Sequence, residues 1–294
     1  MDTPGSLRWD PERLRRALGP LLPGLEVDVR AECGSTSTEL LDRARRPGAG
    51  PCLLVAERQT GGRGRMGRPW LSSPGASLTF SLALPLAPAD WSGLSLAVGL
   101  ALAEALDPAA DGSAPRLGLK WPNDLALADA GGRQRQHGGL LGETVGAGSG
   151  RTVVVGIGLN VLPQHWEGLA QPAACLGELD PALGAPEALQ RVAGPLVRAL
   201  LRFEREGFAP CAARYARRDL LRGRPVTTTA PAPAEGLADG VDADGALLVR
   251  PQPGAPAVRV LRGEVSVRLR AAGDLAARAA QGAPHPDVQT AGPR

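Results

Sequence analysis

Two short segments hold residue types that do chemistry on anions. The first, Gly62-Arg63-Gly64-Arg65-Met66-Gly67-Arg68-Pro69-Trp70, strings three guanidiniums along a glycine-rich stretch closed by an indole. Guanidiniums offer planar pairs of N–H donors that match carboxylate and phosphate oxygens. Literally the stretch spells G-x-G-x-x-G after a strand, the dinucleotide-binding fingerprint if a helix follows. Pro69, Ser72, Ser73, Pro74 and Gly75 rule out that helix. Nor does the stretch end in the Gly-Lys and hydroxyl residue of a Walker loop. What remains is a mobile loop suited to closing over an anion. The second segment is Lys120-Trp121-Pro122-Asn123-Asp124. A lysine at a strand end sets a compact positive charge on a reacting carboxylate or α-phosphate. Asp124 is then a candidate magnesium ligand, because that ion takes one or two carboxylates together with phosphate oxygens. Taken alone, the same five residues also read as a Pro-Asn-Asp turn.

Composition singles out the second segment. Among 33 Lys plus Arg there is one lysine, Lys120; the chain holds two asparagines, Asn123 and Asn160, and one isoleucine, Ile157. A GC-rich coding bias explains the scarcity of these residues but not their gathering in two short stretches. Ammonium and guanidinium differ in size, hydration and geometry, so a lone lysine in an arginine-rich chain marks a site. Ser35-Thr36-Ser37 and Gln59 add compact donors and acceptors fit for a neutral polar ring such as a urea. Gly138-Gly139-Leu140-Leu141-Gly142-Glu143 and Gly156-Ile157-Gly158-Leu159-Asn160 read as strands whose glycines let a ligand approach the backbone. Asn160, at a strand end, is placed to read a purine edge.

The elements that must carry these residues follow from periodicity. Leu7, Leu14, Leu18 and Leu22 predict a leading helix over 7–22. LEVDVRAE reads as a strand, and the hydroxyls of 35–38 cap a helix through Leu40, Leu41 and Ala44, ended by Pro47 and Gly48. PCLLVAERQ and SLTFSLALPL flank the glycine-rich loop as strands. Leu94–Leu106 is apolar almost all round and is therefore a central helix. RLGLKWPNDLALA, GGLLGETV and TVVVGIGLNV read as further strands of a meandering sheet, and 186–221 returns to helical spacing. From Gly223 onward, short β-runs punctuated by Gly, Pro and Asp predict a small β-barrel. Residues 271–294, rich in Ala, Gly and Pro, read as a disordered tail.

Several function classes drop out. The longest apolar stretch falls short of the roughly 20 residues that cross a bilayer, and the charged N-terminus lacks the apolar core of a secretory signal, so a cytoplasmic, membrane-free protein is expected. Cys33, Cys52, Cys175 and Cys211 form no C-x-x-C pair, which indicates neither zinc nor a disulfide framework. With a net charge of +3 and arginines interleaved with acids, the chain lacks a nucleic-acid footprint. His137, His165 and His285 are isolated, and none is assigned a role.

Taken in order, G-R-G-R-x-G-R-x-W, K-W-P-N-D, G-G-L-L-x-E and G-I-G-x-N make the chain resemble the biotin protein ligase family from about Val27 to Val161, with weaker similarity to about Arg270. The resemblance implies an α+β fold: a mixed sheet flanked by helices, of the class II synthetase and lipoate-ligase kind, over 1–222, and an SH3-like barrel over 223–270. It implies an ATP-dependent ligase, with magnesium, that makes biotinyl-5'-AMP and biotinylates a lysine of the carrier domain of a biotin-dependent carboxylase. Carried over residue by residue, it gives Ser35, Thr36, Ser37, Gln59, Arg63, Gly64 and Gly139 to biotin. Arg65 and Lys120 serve both biotin and the reaction, with Arg63 joining them as catalytic. Arg68, Trp70, Asn123 and Asn160, with Arg65, fall to ATP, Trp70 being the adenine wall. Two departures stand out: Ser37 replaces a common Asn, and Gln136-His137 replace basic or aliphatic residues. About 26 residues precede the first core strand, too few for the winged helix some members carry, so a ligase that binds no DNA, working as a monomer or homodimer, is expected.

Overall fold

Strand β1 (Glu26–Cys33) opens a seven-stranded mixed sheet and pairs parallel with β2 (Cys52–Gln59), after which every pairing is antiparallel. The other members are β3 (Ser77–Pro85), β4 (Leu117–Lys120), β5 (Asp124–Ala128), β6 (Gln134–Val145) and β7 (Thr152–Asn160), in the spatial order β1-β2-β3-β7-β6-β5-β4. The computed structural model describes residues 7–108, 114–128, 134–146, 150–164, 173–229, 233–261 and the backbone of 268–269. The expected tail at 271–294 lies outside these residues, as do His165 and His285.

Helices cover both faces of the sheet. On one side α2 (Thr36–Ala44) sets Leu40 against Cys52, Leu54, Ala83 and Val154. On the other, α3 (Leu94–Leu106) brings Gly99 against Leu119 and Leu140, and α4 (Ala185–Glu206) packs on α3. That sandwiching explains the sequence of α3: ten of its thirteen residues are buried, so it has no polar face to show. Two further helices are short, α1 (Pro11–Leu18) and α5 (Ala212–Ala216). The leading helix is thus narrower than the 7–22 expected from its leucines, because Leu22 lies in the turn after Leu18 and is buried there without helical structure.

One expected strand is two. RLGLKWPNDLALA divides into the hairpin β4–β5, whose connection holds a cis Trp121–Pro122 bond, and Lys120 pairs directly with Asp124 across it. Alternation could not distinguish a long strand from a hairpin, since both keep the apolar residues on one face.

Two units emerge by contact: residues 1–220 with 241–247, and residues 221–240 with 248–294. β8 (Pro225–Thr227), β9 (Glu235–Val241), β10 (Leu247–Arg250), β11 (Val258–Val260) and β12 (Arg268–Leu269) form a second sheet in the order β11-β10-β9-β8-β12. Val226, Ala238, Val249 and Val260 are its buried hydrophobic residues within the second unit. Among the described residues, no helix is long and apolar enough to cross a membrane.

Candidate functional site

Strand side chains alternate between faces, so Gly156, Gly158 and Asn160 of β7 share one face. Gly156 lies against the Ser37 hydroxyl; a Cβ there would sit 2.2 Å from its Oγ. The hydroxyl is part of a buried network: Ser81 Oγ, on β3 and paired with Gly156, lies 3.0 Å from Ser37 Oγ and 2.8 Å from Thr36 Oγ1. Thr36 donates from its backbone N and from Oγ1 to Gln59 Oε1, at 2.7 and 3.1 Å. Ser35, also buried, caps α2 and accepts from Thr38 N at 3.5 Å. The start of α2, capped by Ser35, therefore delivers the Thr36 and Ser37 hydroxyls onto the sheet where Gly156 leaves room. Ser81 is a member the sequence reading missed. Its signal was the hydroxyl alternation Ser77, Thr79, Ser81 within an apolar strand.

One step along the same face, a single row crosses the sheet: Thr79, Gly158, Gly139, Asp124 and Lys120 are successive cross-strand partners. Trp70 lies on this row. A Cβ on Gly158 would stand 2.4 Å from its indole, and one on Gly139 would stand 3.7 Å from the ring and 3.9 Å from Asp124 Oδ1. The indole Nε1 is buried with no hydrogen-bond partner.

The Gly62–Trp70 segment is a folded hairpin over this floor. Gly64 N donates to Arg68 O at 2.7 Å and Trp70 N to Gly62 O at 2.9 Å, around a tight turn at Arg65–Gly67. Met66 turns it with φ 57°, a left-handed conformation uncommon outside glycine, and its side chain is exposed. The arginines part company here. Arg63 donates to Thr38 Oγ1 on α2 at 2.6 Å, beside the hydroxyl network, whereas Arg65 donates to Asn123 Oδ1 at 2.9 Å. Asn123 in turn donates to Leu140 O at 3.1 Å. Arg68 stays exposed at the rim.

Charge concentrates at Asp124. Burial pushes its carboxyl pKa up, against the pull of Lys120, Arg65 and Arg68 and a 3.2 Å hydrogen bond from Gln136 Nε2. Burial likewise lowers the Arg65 pKa, and Asp124 opposes that. Gln136 is a second contributor that the motifs did not point to.

These surroundings do not fit the magnesium role expected of Asp124. Its charge faces three protein cations, Lys120, Arg65 and Arg68, besides the hydrogen bond from Gln136. A carboxylate so compensated offers a dication little net attraction. We derive no step through a metal held by the protein.

At the far end of β7, Asn160 Nδ2 donates to Ala174 O at 3.1 Å, which ties Ala174 to the strand end and leaves Oδ1 to accept. Trp121 is wholly buried and donates from Nε1 to Gly245 O at 3.0 Å, an anchor for the strand end that presents Lys120. His137 occupies a bulge between β5 and β6 and is fully buried, with its pKa lowered to about 4 by burial.

Every candidate site residue thus lies in the first unit, and Trp70, Lys120, Asp124, Gly139 and Asn160 lie along β7 or the row crossing it. The arrangement offers hydroxyls and an amide at one end, cations in the middle and an amide acceptor at the other.

Comparison with known proteins gives concordant results. Residues 35–160 match the biotin/lipoate A/B protein ligase family. The chain is 35% identical over 234 residues to the bifunctional ligase/repressor BirA of Escherichia coli K12, covering 78% of this chain and 70% of that one. It is 35% identical over 232 residues to the biotin--[acetyl-CoA-carboxylase] ligase of Paracoccus denitrificans, covering 75% and 92%. Among solved structures, the biotin protein ligase of Aquifex aeolicus in complex with biotin and ATP superposes with a TM-score of 0.66 at 28% identity, over 84% of this chain and 100% of that one.

Proposed function

The chain belongs to the biotin/lipoate A/B protein ligase family, and from that premise we propose that it is a biotin protein ligase acting in two ATP-driven steps. The observation that carries the reading is the order of groups along β7. Hydroxyls gather at Gly156, the lid tryptophan and the Lys120 row at Gly158, and an amide acceptor at Asn160. This is the order in which a ureido ring, an acyl phosphate and a purine succeed one another in biotinyl-5'-AMP.

Ser35, Thr36, Ser37, Ser81 and Gln59 hold the ureido ring, with the Gln59 oxygen engaged by Thr36 and its amide nitrogen left to donate. Arg63 and Gly64 close the lid over biotin, and Gly139 lets it lie against β6. In the first step a biotin carboxylate oxygen attacks the α-phosphorus of ATP, the bond to the bridging oxygen breaks, and pyrophosphate leaves. Lys120 and Arg65 stabilise the charge that builds on the α-phosphate and carboxylate oxygens, with Arg68 on the pyrophosphate side. Trp70 walls the nucleotide, Asn123 fixes Arg65, and Asn160 accepts from the adenine amino group. Magnesium enters as the companion of the ATP phosphates.

In the second step the amine of an acceptor lysine attacks the activated carbonyl, the C–O bond breaks, AMP leaves and the amine loses a proton. Here the folded lid keeps water from the mixed anhydride while the two reactants are held together. The acceptor is the biotin carboxyl carrier domain of a carboxylase, whose lysine enters from solvent.

ATP–pyrophosphate exchange with purified protein tests the reading: exchange should depend on biotin. Exchange driven by lipoate or octanoate and not by biotin would overturn it in favour of another acyl-adenylating member of the family.

A further inference from the structure

Tyr215 belongs to no motif of the site, yet it lies beneath it. It is fully buried near the end of α5, with its ring edge-on to Phe208 at a centroid distance of 5.8 Å and an interplanar angle of 78°. Its hydroxyl has no hydrogen-bond partner in the protein. Buried hydroxyls nearly always have one, either a protein group or an ordered water. Burial and the nearby charge of Asp219 raise its pKa well above that of an ordinary phenol, so it is a neutral O–H that can donate and accept.

Together with Lys120, Asn123, Asp124, Ser95 and Leu140, Tyr215 lines a cavity of about 10 Å³. That is roughly the room one water needs, and a water held there also requires two to four polar partners. The backbone beside Tyr215 grips the strand that ends in Lys120: Leu119 N donates to Arg218 O at 2.7 Å and Leu220 N to Leu119 O at 2.9 Å. Asp219 and Leu119 form a parallel bridge between these bonds. Tyr215 and Lys120 thus sit on two segments locked in register, one with a hydroxyl lacking a protein partner and the other with the reactive ammonium.

We propose that Tyr215 is a positioning residue for Lys120, its hydroxyl holding a single water in the cavity beneath the Lys120–Asp124 hairpin so that the turn aims the ammonium at the reacting oxygens. The inference rests on the ligase reading above. The water bridges Tyr215 to the polar atoms of the turn, and neither it nor Tyr215 touches substrate.

Two measurements test this. A high-resolution crystal structure of the full chain should show a water within hydrogen-bonding distance of Tyr215 Oη and of a polar atom of Lys120–Asp124. Tyr215→Phe keeps the ring and its packing; it should lower kcat for biotin-dependent pyrophosphate exchange by about tenfold, as small misplacements of a catalytic group do, while biotin affinity measured by calorimetry stays within about twofold. A merely structural hydroxyl would move the melting temperature and leave kcat alone. No water at that place, or a folded Tyr215→Phe enzyme with the wild-type kcat, overturns the proposal. If the variant does not fold, the crystal structure decides alone. Wild-type protein that exchanges with lipoate and not biotin refutes the ligase reading instead, and the Tyr215 comparison is then made with the acid that works.

Discussion

Arg65 of the lid donates to Asn123 Oδ1 at 2.9 Å, and this bond ties the loop that covers the site to the hairpin that carries Lys120. The same Asn123 holds Leu140 O on β6 through its amide nitrogen, so one side chain joins lid, hairpin and sheet. Asn123→Ala should therefore cost about 1–2 kcal/mol of stability for its two part-buried hydrogen bonds. Its larger effect should be on retention of the adenylate. Chasing preformed, labelled biotinyl-5'-AMP from the enzyme should show release roughly tenfold faster than from wild type, since a loosened lid opens more often. Unchanged release would mean that Asn123 serves ATP directly and not through the lid.

Two glycines two residues apart should fail in different ways. Alanine at Gly156 presses on Ser37 Oγ, and alanine at Gly158 presses on the Trp70 indole. Each overpacking costs about 1–3 kcal/mol. Gly156→Ala should thus weaken biotin binding by about tenfold or more and spare ATP binding, whereas Gly158→Ala should displace the lid and impair both. Separate titrations by calorimetry check this, and equal losses of both ligands in both variants would contradict the ordering of subsites along β7.

Lys120 pairs with Asp124 in register and is the chain's only lysine. Lys120→Ala should lower the exchange rate by at least about 100-fold, the loss expected when a preorganised group facing developing charge is removed. Lys120→Arg should not restore it, because the broader guanidinium does not fit where a compact ammonium does. Recovery in the arginine variant would show that charge alone suffices.

His137 predicts an acid-side loss of stability. Its folded pKa, about 4, lies below the ordinary 6.5, so the unfolded chain binds the extra proton between those values. Stability from this residue is complete above about pH 6.5 and falls as the pH drops toward 4. Between pH 7.5 and 5 the loss should be about 2 kcal/mol, at 1.36 kcal/mol per pH unit. Denaturant titrations at the two pH values measure it, and His137→Phe should flatten the difference. An equal difference in the variant would assign the loss to other groups.

Much of the candidate site is legible in the sequence, because the chemistry proposed for it needs residue types that this composition otherwise lacks. One lysine and two asparagines in an arginine-rich chain point to Lys120, Asn123 and Asn160 without reference to any fold. Alternation and helical spacing likewise located the sheet strands and α3, since local periodicity reports which face is buried. Distances between segments far apart in the chain were out of reach. Ser81 meets Thr36 and Ser37 across 45 and 44 positions, and nothing local to SLTFSLAL says that α2 will set hydroxyls upon it. The bond from Gln136 to Asp124 and the place of Tyr215 beneath the hairpin were hidden for the same reason. The surroundings of Asp124 were hidden likewise, for a lone acidic residue in the sequence says nothing of the Arg65, Arg68 and Lys120 that the fold brings around it. Residue type and local period are written in the chain itself. Which glycine must yield to which side chain, and which charge answers which, depends on strand register and on helices packed across the sheet, and only the tertiary structure decides those.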